Sequence, residues 1–156
     1  MPCSNRNLLK NGNFRQGQRP WGGRNIHLTA NPLKDNDYSM AMGNLNEEQP
    51  SILYQVVPGP FERQCAYHLY FRILNRSPRS VQPQLTAAVS YLNSAGRVLR
   101  TTPLLVHPPH LQPQRFSSYF TIVPPPPLST RSMVVVFYVN WGKVLVDYIR
   151  VASHNV

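Results

Sequence analysis

Acidic residues are scarce in this chain of 156 residues, which has six Asp and Glu against sixteen Lys and Arg and a formal net charge of +10. The acids are Asp35, Asp37, Glu47, Glu48, Glu62 and Asp147, so no carboxylate side chain lies between Arg63 and Lys143. Glycoside hydrolysis and magnesium sites built from several carboxylates both need converging acids. The composition therefore argues against both.

Cysteines and long apolar runs are equally scarce. The two cysteines, Cys3 and Cys65, are too few for a disulfide framework, and their spacing fits no zinc motif. No apolar segment is long enough to span a bilayer, and the first residues lack the apolar stretch of a secretory signal. We therefore expect no membrane span, and either the mature form of a processed protein or a protein made in the cytosol.

Helical periodicity is absent, and sixteen prolines interrupt the places where a helix could begin. Alternation of apolar and polar residues predicts strands instead. In the segment Cys65–Asn75, Tyr67 and Leu69 share one face, whereas the other face carries His68, Tyr70 and Arg72. Further strands are predicted over residues 85–92, 115–123 and 133–139, with shorter ones over 7–14, 26–30, 38–42, 52–57, 98–105 and 144–151.

About ten short strands separated by turns and proline-rich loops predict an all-β fold, an antiparallel β-sandwich. The segment Met133–Val139 is apolar on both faces. We expect the opposing sheet to cover one of these faces and a loop or a neighbouring subunit to cover the other. Trp141 and Gly142 are expected in an exposed turn after this strand. Residues 7–152 form one predicted domain, with a flexible arm at 1–6 and a tail at 153–156.

Groups suited to catalysis are few. No recognisable motif frames either thiol as a nucleophile. His107 and His110 lie three residues apart, but proline fixes the backbone between them and a zinc site needs three or four protein ligands. His68 lies on the polar face of its strand. We expect a protein that is not an enzyme, with no catalytic residue, no cofactor and no bound metal.

Several segments resemble a known family. Asn7–Phe14, followed by Pro20 and Trp21, resembles the opening strand of carbohydrate-binding-module-like jelly rolls of the galactose-binding type. Ser51–Val57 is similar to their second signature strand, and Val144–Val151 looks like their last strand. The resemblance implies a jelly-roll β-sandwich.

A closer resemblance appears when Ala88–Leu92 and the proline loop at Pro124–Pro127 are considered together with these segments. The chain then resembles the N-terminal non-collagenous domain of Firmicutes spore-surface proteins that carry triple-helical repeats. This implies a structural domain of a spore or cell surface, whose partners are copies of itself in a trimer or a fibre. Such proteins are assembled from the mother-cell cytosol, which fits the absence of a signal sequence.

Carbohydrate binding is the alternative function, with surface glycans as partners. Jelly rolls that hold sugars stack the sugar ring on planar aromatic side chains. Sugar sites normally add acidic and amide groups, so the acid-free middle of the chain argues against this alternative. The candidate aromatic residues are Tyr54, Tyr70, Tyr91, Tyr119, Tyr138 and Trp141.

Polyanion or nucleic-acid binding through the basic surface is a weaker alternative. The net charge and an isoelectric point near 10.2 meet the electrostatic criterion. The arginines are scattered, however, and no recognition helix, RNP-like motif or glycine-rich phosphate loop is present. We expect no specific nucleic-acid partner.

Two contacts between distant residues are expected. A free arm carrying Cys3 can reach another subunit, so we expect an intermolecular disulfide, with Cys65 of a neighbour as its partner; two free thiols are the alternative. The resembled modules bind a structural calcium through a glutamate after the Asn-Gly-x-Phe motif and the last-strand aspartate. Here Arg15 replaces that glutamate and Asp147 is kept. We expect an Arg15–Asp147 ion pair in place of calcium, or else a solvent-facing Arg15, and a one-residue bulge at Asp147.

Overall fold

The computed structural model describes residues 2–46 and 49–155, so Met1 of the expected arm and Val156 of the expected tail lie outside the described residues. The described residues form nine strands and no helix. The strands are β1 (Gly22–Arg24), β2 (Ile26–Ala30), β3 (Tyr38–Asn44), β4 (Ser51–Pro58), β5 (Ala66–Asn75), β6 (Gln84–Leu92), β7 (Val98–Val106), β8 (Ser117–Val123) and β9 (Ser132–His154).

The strands form two antiparallel five-stranded sheets that share β9. Sheet A has the order β2-β3-β9-β5-β8, and sheet B has the order β1-β4-β9-β6-β7. Residues 132–139 of β9 pair with β4 and β6, whereas residues 144–146 pair with β3 and β5. The chain is therefore an all-β antiparallel jelly-roll sandwich, as the sequence predicts.

The core lies between the two sheets and is built by the predicted alternation. Tyr67, Leu69 and Phe71 of β5 are buried, and Phe71 meets Phe137 of β9 edge to face with the ring centroids 5.1 Å apart. Trp21 packs on Phe137 from the loop before β1. Each buried aromatic ring contributes on the order of 2–3 kcal/mol through removal of apolar area from water. Aromatic contacts thus join sheet A to sheet B.

The structure differs from the predicted strands most clearly at three places in the chain. Residues 7–14 form no strand, apart from an isolated bridge between Asn7 and Ala152. The expected turn at Trp141 is absent, because β9 runs unbroken from sheet B into sheet A. Trp141 is therefore a half-buried strand residue and not an exposed turn residue. The short strand β1 was not predicted, since Gly22 and Gly23 carry no strand signal.

The outward face of the first half of β9 is not covered by a loop. Val135 is fully buried, whereas Val136 is half-buried and Tyr138 is 38% exposed. The expectation of a covering loop is wrong at Tyr138, which is exposed on this face. Cover by a neighbouring subunit stays a prediction.

The N-terminal segment is attached to the sandwich through Cys3. Cys3 and Cys65 form a disulfide within the chain, with the two Cα atoms 6.0 Å apart. The prediction of an intermolecular disulfide is wrong, as is the alternative of two free thiols, because the segment runs beside the end of β9 and stays within reach of Cys65. The backbone N–H of Ser4 also donates to Glu62 Oε1 at 3.0 Å. Hydrogen bonds from Ser153 and Ser4 hold the pKa of Glu62 below its ordinary value.

Asp147 lies at the expected bulge, since β9 has one extra residue opposite Tyr70–Arg72. Its side chain is fully buried; Oδ1 accepts from the backbone N–H of Tyr148 at 2.7 Å, and Oδ2 accepts from the Ser39 hydroxyl at 3.0 Å. Arg15 is exposed in the loop after residue 14, so the predicted Arg15–Asp147 ion pair is wrong.

Arg72 is the arginine that lies opposite Asp147 in the sheet. Its guanidinium carbon stacks 3.4 Å from the ring centroid of Tyr148. Burial raises the pKa of Asp147 to about 7, and the charge of Asp37 adds to this, while hydrogen bonds and Arg72 act in the opposite direction. A buried carboxylic acid therefore titrates near neutral pH in the folded protein.

Loss of the disulfide is expected to lower the free energy of unfolding. Cys3 and Cys65 are 62 residues apart, and closing a loop of that length restricts the unfolded chain by about 4 kcal/mol. The free energy of unfolding of Cys3→Ser should therefore be lower than that of wild type by at most about 4 kcal/mol. The loss is smaller if the released arm also gains conformational freedom in the folded state. Urea unfolding of wild type with and without reductant measures the loss, and Cys3→Ser, which must not respond to reductant, is the control. A disulfide-linked dimer on a non-reducing gel would contradict the intrachain bond.

Replacement of Asp147 by Asn is expected to remove a pH dependence of stability. The folded pKa of about 7 exceeds the ordinary value of 3.8, so the folded state binds more protons between these values. The free energy of unfolding therefore falls as pH rises toward 7. Asp147→Asn should match wild type near about pH 4 and exceed it by about 2–4 kcal/mol near about pH 8.

Urea unfolding of both proteins, with EDTA or with calcium, checks this expectation, and Asp35→Asn at an exposed aspartate is the matched control. An equal stability difference at both pH values would contradict it. Stabilisation of wild type alone by calcium would contradict the expectation that no metal is bound.

Candidate functional site

The aromatic residues predicted to hold a sugar do not form one cluster. Tyr54 is 41% exposed on the outer face of sheet B, and Tyr70 is 37% exposed on the outer face of sheet A. These faces are on opposite sides of the sandwich. The structure therefore divides the predicted set, and each face has to be considered separately.

Tyr91 and Tyr119 point inward and Trp141 lies at the crossing of the sheets. Tyr91 is fully buried, its hydroxyl donates to the carbonyl of Pro124 at 2.8 Å, and burial raises its pKa. Tyr119 stacks on Phe71 with centroids 5.7 Å apart, and burial raises its pKa as well. Tyr91 presents no open ring face, so its assignment as a sugar-binding residue is wrong, whereas Tyr119 and Trp141 are half-buried and lie away from the other aromatic candidates. The alternation of β6 could have predicted that Tyr91 is buried, because it places Tyr91 on the same face as the apolar Leu85.

Tyr54 and Tyr138 are neighbours on the outer face of sheet B. Tyr54 pairs with Val136 across β4 and β9, and Tyr138 is two residues further along β9. Diagonal neighbours of this kind stand roughly 7–8 Å apart on one face of a sheet. Both side chains are exposed on this open face, with the Tyr54 ring leaning toward β1, and we call the two tyrosines the platform.

Gly22 determines where the Tyr54 ring lies. Gly22 is paired with Tyr54, and a Cβ atom on Gly22 would approach the ring atoms of Tyr54 to 2.9 Å. The ring thus lies over β1 in the space that a side chain at position 22 would fill. The sequence could not predict this contact, because a glycine at the start of a strand does not indicate which side chain packs on it.

Apolar and hydroxyl side chains surround the platform. Val56 and Leu105 are 53% and 55% exposed on the same face. Ser90 and Thr101, paired across β6 and β7, share a hydrogen bond of 2.8 Å between their hydroxyl oxygens. In the described strands of sheet B the outward row contains no carboxylate. The outward side chains of β4, β6 and residues 132–139 of β9 are uncharged, and the exposed Arg24 of β1, opposite Ile52, lies at the edge of this face. The centre of the face is therefore suited to an uncharged ligand with flat apolar surfaces.

Residues 2–46 and 49–155 contain His, Cys, Asp and Glu side chains of the kinds that ligate metals. No group of three or more His, Cys, Asp or Glu side chains in these ranges is placed to hold a metal ion. His110 Nε2 lies 2.9 Å from the carbonyl oxygen of Pro78 and is occupied by that contact. In the same ranges, no helix has the length and apolar character needed to cross a membrane.

No protein-family model and no curated protein matches the chain. Solved structures do match it at low identity. A family 61 carbohydrate-binding module, TmCBM61, in complex with β-1,4-galactotriose, has a TM-score of 0.67 and 17% identity over 96% of this chain and 99% of that one. The C-terminal family 22 carbohydrate-binding module of Clostridium thermocellum Xyn10B has a TM-score of 0.64 and 12% identity over 98% of this chain and 96% of that one.

A larger protein contains the same fold as a part. The enzymatically active domain of tailspike protein 4 from bacteriophage CBA120 has a TM-score of 0.74 and 14% identity over 94% of this chain. This chain spans about a fifth of that protein, since it covers 21% of its length. At these identities the likeness shows the fold alone: the chain has the jelly-roll sandwich found in carbohydrate-binding modules.

Proposed function

We propose that the protein is a non-catalytic carbohydrate-binding domain that uses the outer face of sheet B. The observation that carries this proposal is the Tyr54–Tyr138 platform on an open sheet face. A pyranose ring has flat C–H surfaces that pack on aromatic rings, and its hydroxyls bond to nearby hydroxyl and backbone groups. Both kinds of partner are present on this face.

The fold supports this proposal. The modules of similar structure include one solved with β-1,4-galactotriose and a xylan-binding domain from Paenibacillus barcinonensis Xyn10C. The outward side chains of β4, β6 and residues 132–139 of β9 carry neither acid nor base, so the proposed ligand is a neutral glycan. β-1,4-Linked galactan and xylan are the first polymers to test.

We also propose self-association through β8 as a second function. In the described residues β8 pairs with β5 alone, so its other edge has free backbone groups. Phe120 and Ile122 on this strand are 61% and 55% exposed. An exposed apolar edge strand is a template for pairing with another chain. Assembly at a spore or cell surface is consistent with such an edge, and disulfides such as Cys3–Cys65 persist in oxidising surroundings.

Loss of either platform ring is expected to weaken neutral-glycan binding. Tyr54→Ala and Tyr138→Ala should each raise the dissociation constant for galactan or xylan oligosaccharides about tenfold, since a stacking contact contributes about 1 kcal/mol beyond its area. Gly22→Ala should weaken binding by displacing the Tyr54 ring, without loss of the fold. Isothermal titration calorimetry measures these changes.

Tyr38→Ala is the matched control, because Tyr38 is 43% exposed at the start of β3 in sheet A. Binding should also be insensitive to salt, since the platform is uncharged. Equal losses in Tyr38→Ala, or no binding of any neutral glycan by wild type, would contradict the proposal.

Self-association is expected to depend on Ile122. Wild type should give a mass above that of the monomer in light scattering after gel filtration, and Ile122→Lys should give the monomer mass, because a charged side chain blocks pairing at an edge strand. Leu128→Lys, at a loop residue that is 76% exposed, is the control and should leave the assembly intact. A wild-type protein that stays monomeric at every concentration would rule out the β8 interface.

A further inference from the structure

A second groove crosses the outer face of sheet A, on the side opposite the tyrosine platform. One part, of about 480 Å³, is lined by residues that include Arg15, Tyr148 and Gln16. The other part, of about 430 Å³, is lined by residues that include His68 and His154. Tyr70 and Arg150 line both parts, so the two are continuous; we call them the sheet A groove.

The charge of the sheet A groove is positive. Arg15 and Arg150 line it, and neither part is lined by any Asp or Glu among the described residues. Arg150 Nη2 donates to the backbone carbonyl of Asn5 at 2.7 Å and lies 3.3 Å from the Asn5 side-chain oxygen. These acceptors are neutral, so they fix the guanidinium in position without compensating its charge. Its remaining N–H groups suit a bidentate contact with an anion.

Aromatic and amide groups lie beside this guanidinium. Tyr70 pairs with Arg150 across β5 and β9, and its hydroxyl lies 3.0 Å from that of Ser118. The rings of His68 and His154 stack with centroids 3.9 Å apart. Burial, and to a smaller extent His154, lowers the pKa of His68.

We propose that the sheet A groove binds an acidic oligosaccharide, that is, a glycan whose rings carry carboxylate or sulfate groups. Arg150 contacts the acidic group, Tyr70 packs on the sugar ring and the side-chain amides of Asn13 and Gln16 bond to hydroxyls. The ligand and the face both differ from those of the neutral-glycan site on sheet B, so the inference is independent of the proposed function.

The groove favours an acidic sugar over a nucleic acid. A nucleic acid presents one phosphate per nucleotide and is held by several cations in a row together with open aromatic faces. Here two guanidiniums stand among several amides, and Arg72 covers one face of Tyr148 at 3.4 Å. Few charges and many amides fit a ligand with many hydroxyls and few anionic groups.

Calorimetry with four probes tests the proposal. A galacturonate hexamer supplies carboxylates, a chondroitin sulfate hexasaccharide adds sulfates, a galactose hexamer is neutral, and a thymidylate dodecamer supplies phosphates. Wild type should bind at least one acidic hexamer, more weakly at about 300 mM than at about 50 mM NaCl. Arg150→Gln should weaken that binding about tenfold and Arg15→Gln about threefold. The acidic hexamer that binds identifies the acidic group.

Matched variants separate a site from general charge attraction. Arg97→Gln, at an exposed arginine in the β6–β7 turn, makes the same charge change and should leave binding unaltered. Tyr70→Ala should weaken binding and Tyr70→Phe should retain it, which keeps the test valid if Arg150→Gln loosens the arm at Asn5. Tyr54→Ala should not change the binding of the acidic hexamer. A negative result for the sheet A groove is therefore distinct from a negative result for the neutral-glycan site on sheet B.

Three results would overturn the proposal. The first is equal weakening by Arg97→Gln and Arg150→Gln, which would mean attraction to net charge alone. The second is tighter binding of the thymidylate dodecamer with the same dependence on Arg150 and Tyr70, which would make the groove a nucleic-acid site. The third is no binding of either acidic hexamer at about 50 mM NaCl.

Discussion

Strand β9 determines the geometry of both sheets, because it is the central strand of each. Its 23 residues pair with β4 and β6 in sheet B and then with β3 and β5 in sheet A. The crossing needs glycine: Gly43 and Gly142 have φ angles of +86° and +93°, and a side chain on Gly43 would collide with the carbonyl of Gly142. Pairing with β9 sets the positions of the outward side chains in both sheets. The tyrosine platform and the sheet A groove therefore depend on the same strand.

Alternation made most of the fold predictable from sequence, because a half-buried strand must repeat with a period of two. The same rule could not predict the crossing. Trp141-Gly142 between two apolar runs is typical of a turn, and whether a glycine turns the chain or lets a strand change sheets depends on partners that are distant in sequence. The strand predicted over residues 7–14 is absent for a local reason. Asn11 and Phe14 adopt positive φ angles, which interrupt a strand that the composition of the segment permits.

The contacts between distant residues were harder to predict than the strands. A resemblance in sequence gives the position of Arg15 along the chain but not the direction of its side chain, and the turn at Phe14 carries Arg15 into solvent. The cation near Asp147 is instead Arg72, whose place on the polar face of β5 the alternation did predict. The pairing of Cys3 with Cys65 likewise depended on how the N-terminal segment runs beside β9, which no local pattern records.

The distribution of acids explains why the two faces differ although the net charge is +10. Asp37 and Asp147 are buried, and Glu62 is engaged by Ser4 of the N-terminal segment. The two buried aspartates therefore do not neutralise surface arginines, and a cationic face results where arginines point outward with no acid beside them. Sheet A has such arginines in Arg15 and Arg150, whereas the centre of sheet B is aliphatic and aromatic. The scarcity of acids thus leaves the arginines of the sheet A groove uncompensated, whereas the centre of sheet B is uncharged because its strands carry neither acids nor bases there.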